Sequence, residues 1–272
     1  MISMFIKMLS YPFLQRALLV GLLVSLCASL LGTSLVMKRF SMIGDGLSHV
    51  GFAALALAYA LNLAPLSVSV PVCVLAAFFL LRIRDSSKIK GDAATALMCS
   101  GALAVGVMTI SLTSGMNTDV CNYMFGSILA MSRSDVVLSV VLALAVIVLY
   151  VIFYHRIFAV TFDESFAEAT GINTNAYNTV IAVLTAVTVV LGMRMMGTLL
   201  ISSLIVFPSL TAMRVTGNYH STVVVSALIS TVCFLAGLFF SYLYSVPTGA
   251  CIVIMNMLAF FVFSLAAKRK GA

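Results

Sequence analysis

The sequence holds no tryptophan, three histidines, five prolines and eight acidic residues among 272. Charged side chains make up 8% of it, against about a quarter in a soluble globular domain. That share is too small to clothe a soluble fold of this length. Cys27, Cys73, Cys99, Cys121, Cys233 and Cys251 form no C-x-x-C pair, which removes a zinc-finger spacing and a disulfide framework. Most lie in apolar runs, where cysteine acts as a small hydrophobe. No G-x-x-x-x-G-K-[ST] occurs, so the chain does not bind ATP through a P-loop, and any ATPase must be another polypeptide. The net charge of +7 comes without a basic patch interleaved with aromatics, so nucleic acid is set aside as a partner.

What remains is apolar: 62% of the residues are hydrophobic, and they come in blocks of the length a bilayer-spanning helix needs. The expected fold is all-α, a polytopic helical membrane protein of about 8–9 transmembrane helices, forming a single transmembrane domain over 1–272. Nine apolar segments are counted, near 13–37, 45–62, 66–82, 93–113, 135–154, 178–194, 197–213, 221–244 and 248–267. "VCNYMFGSILAM" at 120–131 is too short to span and reads as a re-entrant or interfacial piece. The run Ala17–Met37 is too long for a signal-peptide core and is followed by Lys38 and Arg39, so it reads as a retained helix.

Positive charge collects on the cytoplasmic side. Placing "KRF" (38–40), "RIRDSSKIKGD" (82–92) and "KRK" (268–270) inside leaves an even number of spans between them. Arg156 and Arg214 then fall inside too, and Lys7, Arg16, Arg133 and Arg194 do not. The location expected is the plasma membrane. One predicted cytoplasmic stretch, 155–178, is long and polar. Within it Asp163, "ESFAEA" and Gly171 read as a short helix with an acidic start and a glycine stop. It is either a plain connector or a docking helix, and spacing favours neither.

A charge inside a membrane costs about 2.5–3.5 kcal/mol on insertion scales. The other acids fall in loops or flank the 120–131 segment, but Asp45 opens an apolar helix. His49 lies one turn further on the same face, with Ser48 beside it. Gly44, Gly46 and Gly51 leave room for a neighbouring helix. Asp45 could instead be an ordinary N-cap, and His49 a packed core residue. Imidazole with carboxylate suits Zn²⁺ and, with more oxygen, Mn²⁺. Two copies facing across a two-fold axis would supply four ligands, while a proton relay is the competing use. His155 and His220 read as solvated. Pro208 lies within a helix, as a packing kink or a gating element. The methionines near 193–196 are soft ligands or fillers.

Four stretches in order, "MKRFSMIGDGLSHVGFAALALA", "CNYMFGSILAMSRSD", "FDESFAEATGI" and "MGTLLISSLIVFPSLTAMR", resemble the permease subunits of zinc/manganese ABC importers, the ZnuB-type metal permeases. The resemblance covers nearly the whole chain and implies a fold related to the vitamin B12-importer-type ABC permeases. It implies a homodimer, two copies of a cytoplasmic ABC ATPase and an extracytoplasmic metal-binding protein. Asp45 and His49 would hold the transported divalent cation, Zn²⁺ first and Mn²⁺ or Fe²⁺ as alternatives, with no cofactor bound permanently. Gly44, Gly46, Ser48 and Pro208 would line or pack the pathway. The ATPase-coupling region would be about 156–177, with Asp163, Glu164, Glu168, Ala169 and Gly171 as contacts. A proton-coupled secondary transporter is the reading from another class.

Overall fold

The computed structural model describes residues 11–86, 91–113 and 133–270; the 120–131 stretch lies outside them. Among the described residues every element is a helix. They are α1 (Pro12–Met37), α2 (Ile43–Ala60), α3 (Pro65–Ser86), α4 (Gly91–Leu112), α5 (Arg133–Ile152), α6 (Tyr154–Phe162), α7 (Glu164–Ala169), α8 (Thr174–Met196), α9 (Thr198–Met213), α10 (Tyr219–Tyr244) and α11 (Thr248–Lys270). All nine apolar segments counted in the sequence are helices. Seven are long and apolar enough to cross a membrane, and α3 and α9 contain shorter apolar stretches. The all-α membrane architecture expected from the sequence is the observed one.

Chemistry at the helix ends follows local rules. Pro12 and Pro65 open α1 and α3, where a missing N–H costs nothing. Asp163, Asn173 and Asn218 cap α7, α8 and α10 by accepting from the amides of Phe166, Ala176 and Ser221. Gly197, at φ 86°, is the single residue between α8 and α9. Its positive φ turns the chain abruptly at a point where a side chain would be strained. Pro208 is buried inside α9, which continues past it to Met213.

The spanning windows of α1, α2 and α8 are 67%, 67% and 61% buried, against 22% for α4 and α5 and 11% for α11. The first three therefore form the centre, and α4, α5 and α11 the rim. α1 packs against α5, α8, α9 and α10, and α2 against α3, α4, α8 and α9. Serine hydroxyls join α1 to α10, Ser226 donating to the Ser29 carbonyl and Ser230 to that of Ser25. At one end, Tyr219 of α10 bonds Ser34 of α1 at 2.7 Å and Tyr150 of α5 at 3.1 Å. The ends carrying Lys38, α7 and the start of α8 meet there too. This agrees with the sidedness read from the positive charges.

The α1–α9 crossing has no spare room: a Cβ on Gly32 would lie 2.1 Å from the Ile205 carbonyl oxygen. Gly32→Ala should cost about 1–3 kcal/mol and lower the thermal unfolding midpoint in detergent. Gly101→Ala, where no atom of the described residues lies within 4 Å of the added Cβ, should leave it unchanged or slightly raised.

Candidate metal site

Asp45 is not an N-cap. The cap of α2 is Met42, with no side-chain cap bond, and Asp45 sits in the first turn. There the helix dipole favours its negative charge, and its carboxylate is free to face sideways. His49 Nε2 lies 3.8 Å from Asp45 Oδ1. The Cys99 thiol of α4 donates to Asp45 Oδ2 at 3.4 Å. Ligand atoms of Asp45, His49 and Cys99 all lie within 4.8 Å of one another, the one such grouping of His, Cys, Asp and Glu among the described residues. Two atoms bound to a common first-row ion at about 2.0–2.3 Å can be separated by no more than about 4.0–4.6 Å. The Asp45–His49 and Asp45–Cys99 separations satisfy that limit.

The helix packing explains the grouping. A Cβ on Gly46 would lie 2.8 Å from Thr95 Cγ2 and 3.1 Å from Met98 Cε. Glycine at 46 therefore lets α4 come close enough for Cys99 to reach the carboxylate. On the next faces, Gly44 meets Ile205 and Ser202 of α9, and Gly51 meets Met193 and Cys73. Met193 is fully buried and packs with Phe52, Leu55 and Ile110, a filler in this arrangement. Ser48 is buried and donates to the Asp45 carbonyl at 2.7 Å, so its hydroxyl serves the backbone.

The side chains of Asp45 and His49 are 32% and 17% exposed, reachable without being solvated. His49 Nδ1 is buried and has no hydrogen-bond partner among the described residues. A buried ring nitrogen left unpaired is costly unless something else occupies it, so the imidazole retains a free donor position.

The second predicted region has the expected local form. Asp163 caps α7, and Gly171, at φ 83°, ends it. Asp163, Glu168, Ala169 and Gly171 are exposed, as are Phe162 and Phe166, while Ala167 is buried. Glu164 is half-buried and accepts from Lys38 Nζ at 3.0 Å. His155 and His220 are exposed as expected, although both lie on helices, with His220 Nδ1 3.2 Å from the Tyr154 hydroxyl.

A family model described as the ABC 3 transport family matches residues 10–267. The chain belongs to that family. This bears out the resemblance drawn from the four motifs. Members similar to it include the "Manganese transport system membrane protein MntC" of Listeria monocytogenes, 27% identical over 97% of this chain and 94% of that protein. The "Manganese import system permease protein ScaB" of Streptococcus gordonii is 29% identical over 99% and 98%. A "Probable iron transport system membrane protein" of Haemophilus influenzae is 30% identical over 98% and 97%. Among solved structures, PsaBC from Streptococcus pneumoniae in complex with Fab superposes with a TM-score of 0.86 at 30% identity, covering 97% of this chain and 95% of that one. An inward-facing metal-chelate type ABC transporter shares the fold, with a TM-score of 0.76 at 13% identity over 96% and 88%. An ABC 3 family member with these spans is a multi-pass protein of the bacterial plasma membrane.

Sequence reasoning missed Cys99, read there as one more small hydrophobe. The available signal was a face of small residues on α4, with Thr95, Cys99 and Gly106 at helical spacing. Nothing in one sequence says that this face meets Asp45. In a variant keeping Cys99 as its sole cysteine, Cd²⁺ should slow maleimide labelling of the thiol. Asp45→Ala should raise the Cd²⁺ concentration needed by about 10–100-fold. Labelling indifferent to Cd²⁺ in the parent would contradict the grouping.

Proposed function

We propose that this chain is the membrane-spanning permease subunit of an ATP-driven importer of divalent transition-metal ions, with Mn²⁺ as its cargo. The observation that carries the reading is the joining of Asp45, His49 and Cys99 on two packed helices of an ABC 3 family chain. The donors are one oxygen, one nitrogen and one sulfur, and they suit Fe²⁺ and Zn²⁺ as readily as Mn²⁺. Mn²⁺ is preferred because relatives matching along nearly their whole length are named for manganese, and one for iron. These names favour the alternative cargo over the Zn²⁺ first expected. Family membership also weighs against the proton-coupled secondary transporter.

In this reading the ion exchanges part of its water shell for the three side chains. An importer site must hold its cargo weakly enough to release it, and three donors with open positions meet that need. The three donors of one chain are the set this reading uses, where the sequence alone suggested four ligands shared by two facing copies. The homodimer remains part of the proposal, as the frame in which two such sites open and close. A separate ATPase hydrolyses ATP and docks on the exposed surface of α7, and an extracytoplasmic binding protein delivers the ion. Phe162 and Phe166, 71% and 65% exposed, give that surface apolar anchors beside Asp163, Glu168, Ala169 and Gly171.

Asp45→Ala and His49→Ala should each reduce Mn²⁺ uptake in cells by at least about tenfold at equal membrane abundance, and Cys99→Ser should raise the Mn²⁺ concentration needed. Unchanged uptake in the first two would refute the reading. Phe166→Asp should leave thermal stability within about 0.5 kcal/mol, as an exposed change does, while abolishing co-purification of the ATPase.

A further inference from the structure

Lys38 is the C-cap residue of α1, and its side chain is 7% exposed. Its ammonium donates to Glu164 Oε1 at 3.0 Å and to Asn178 Oδ1. Asn178 Nδ2 donates to the same Glu164 oxygen. Three side chains from α1, α7 and α8 thus close a triangle. Pulling the largely buried ammonium away from its carboxylate costs stability, which ties α7 to the end of α1.

The chain from Lys38 to the metal site has little slack. Arg39 takes a left-handed φ of 60°, its amide donates to the Val36 carbonyl, and that of Phe40 donates to Leu35. These are the two bonds of a Schellman turn. The Ile43 amide donates back to Phe40, and α2 starts there, with Asp45 in its first turn. Through Asn178 the same triangle also holds α8, whose Met193 packs on Gly51 of α2. A displacement of α7 therefore reaches α2 by two rigid routes.

We propose that Lys38, Glu164 and Asn178 form the linkage that passes movement of α7 to the helix carrying Asp45 and His49, with Lys38 as a positioning residue for transport. This rests on the importer reading above. Lys38 touches no cargo, and its loss uncouples ATP hydrolysis from ion movement without emptying the site.

The test uses the complete complex of this chain and its ATPase in proteoliposomes, supplied with the Mn²⁺-loaded binding protein, with radiolabelled Mn²⁺ uptake and ATP hydrolysis measured together. Lys38→Met should retain hydrolysis and lower Mn²⁺ moved per ATP about tenfold, a typical coupling effect. Lys38→Glu should lower it further. The exchange Lys38→Glu with Glu164→Lys should recover most of the ratio, because the Asn178 amide can both donate and accept. An unchanged ratio in Lys38→Met, or an exchange that recovers nothing, overturns the linkage while the importer reading stands. Wild-type vesicles that take up no ion overturn both.

Discussion

A carboxylate in an apolar helix has to be satisfied by its neighbours, and the region around Asp45 is organised by that requirement. Its position in the first turn of α2 gives it the favourable end of the helix dipole. The Cys99 thiol reaches one oxygen and His49 flanks the other. Both contacts depend on helix spacing, and spacing here is set by glycine. Without Cβ atoms at 44, 46 and 51, α9, α4 and α8 can all close on α2. The polar group is affordable only because three helices are allowed so near.

The same helix is fixed at both ends. At its start, Arg39 makes a Schellman turn in a conformation that costs a non-glycine residue about 1–2 kcal/mol. At its end, Asn62 does so at φ 54°, with the Leu63 amide donating to Ala58, and asparagine tolerates that region. A helix held at both ends and crowded on three faces moves as a unit. Motion delivered at Lys38 would be felt as rotation or translation of the whole site, and bistable packing of this kind turns a small push into two discrete arrangements.

The helices were legible because length and apolarity alone decide whether a segment spans. All nine segments were found, with ends displaced by a few residues where Pro65, Thr174 or Thr198 begins a helix. Asp45 and His49 stood out because a charge is rare in such a segment, and the Asp163–Gly171 helix because its cap and its stop are local signals. Cys99 and Lys38 were not legible. Cys99 lies 54 residues from Asp45, and thiols are common in apolar runs. Lys38 lies 126 residues from Glu164, and the positive-inside rule already accounted for it. Partners between helices follow from packing, which a single sequence does not spell out.

The central claim is that one chain supplies oxygen, nitrogen and sulfur to the same ion. X-ray absorption at the metal edge of the purified, Mn²⁺-loaded complex tests it most directly. The account predicts one sulfur neighbour per ion among lighter scatterers, lost in Cys99→Ser while the ion is still held. A shell of oxygen and nitrogen alone in the parent protein, or a spectrum unaltered by Cys99→Ser, would contradict it.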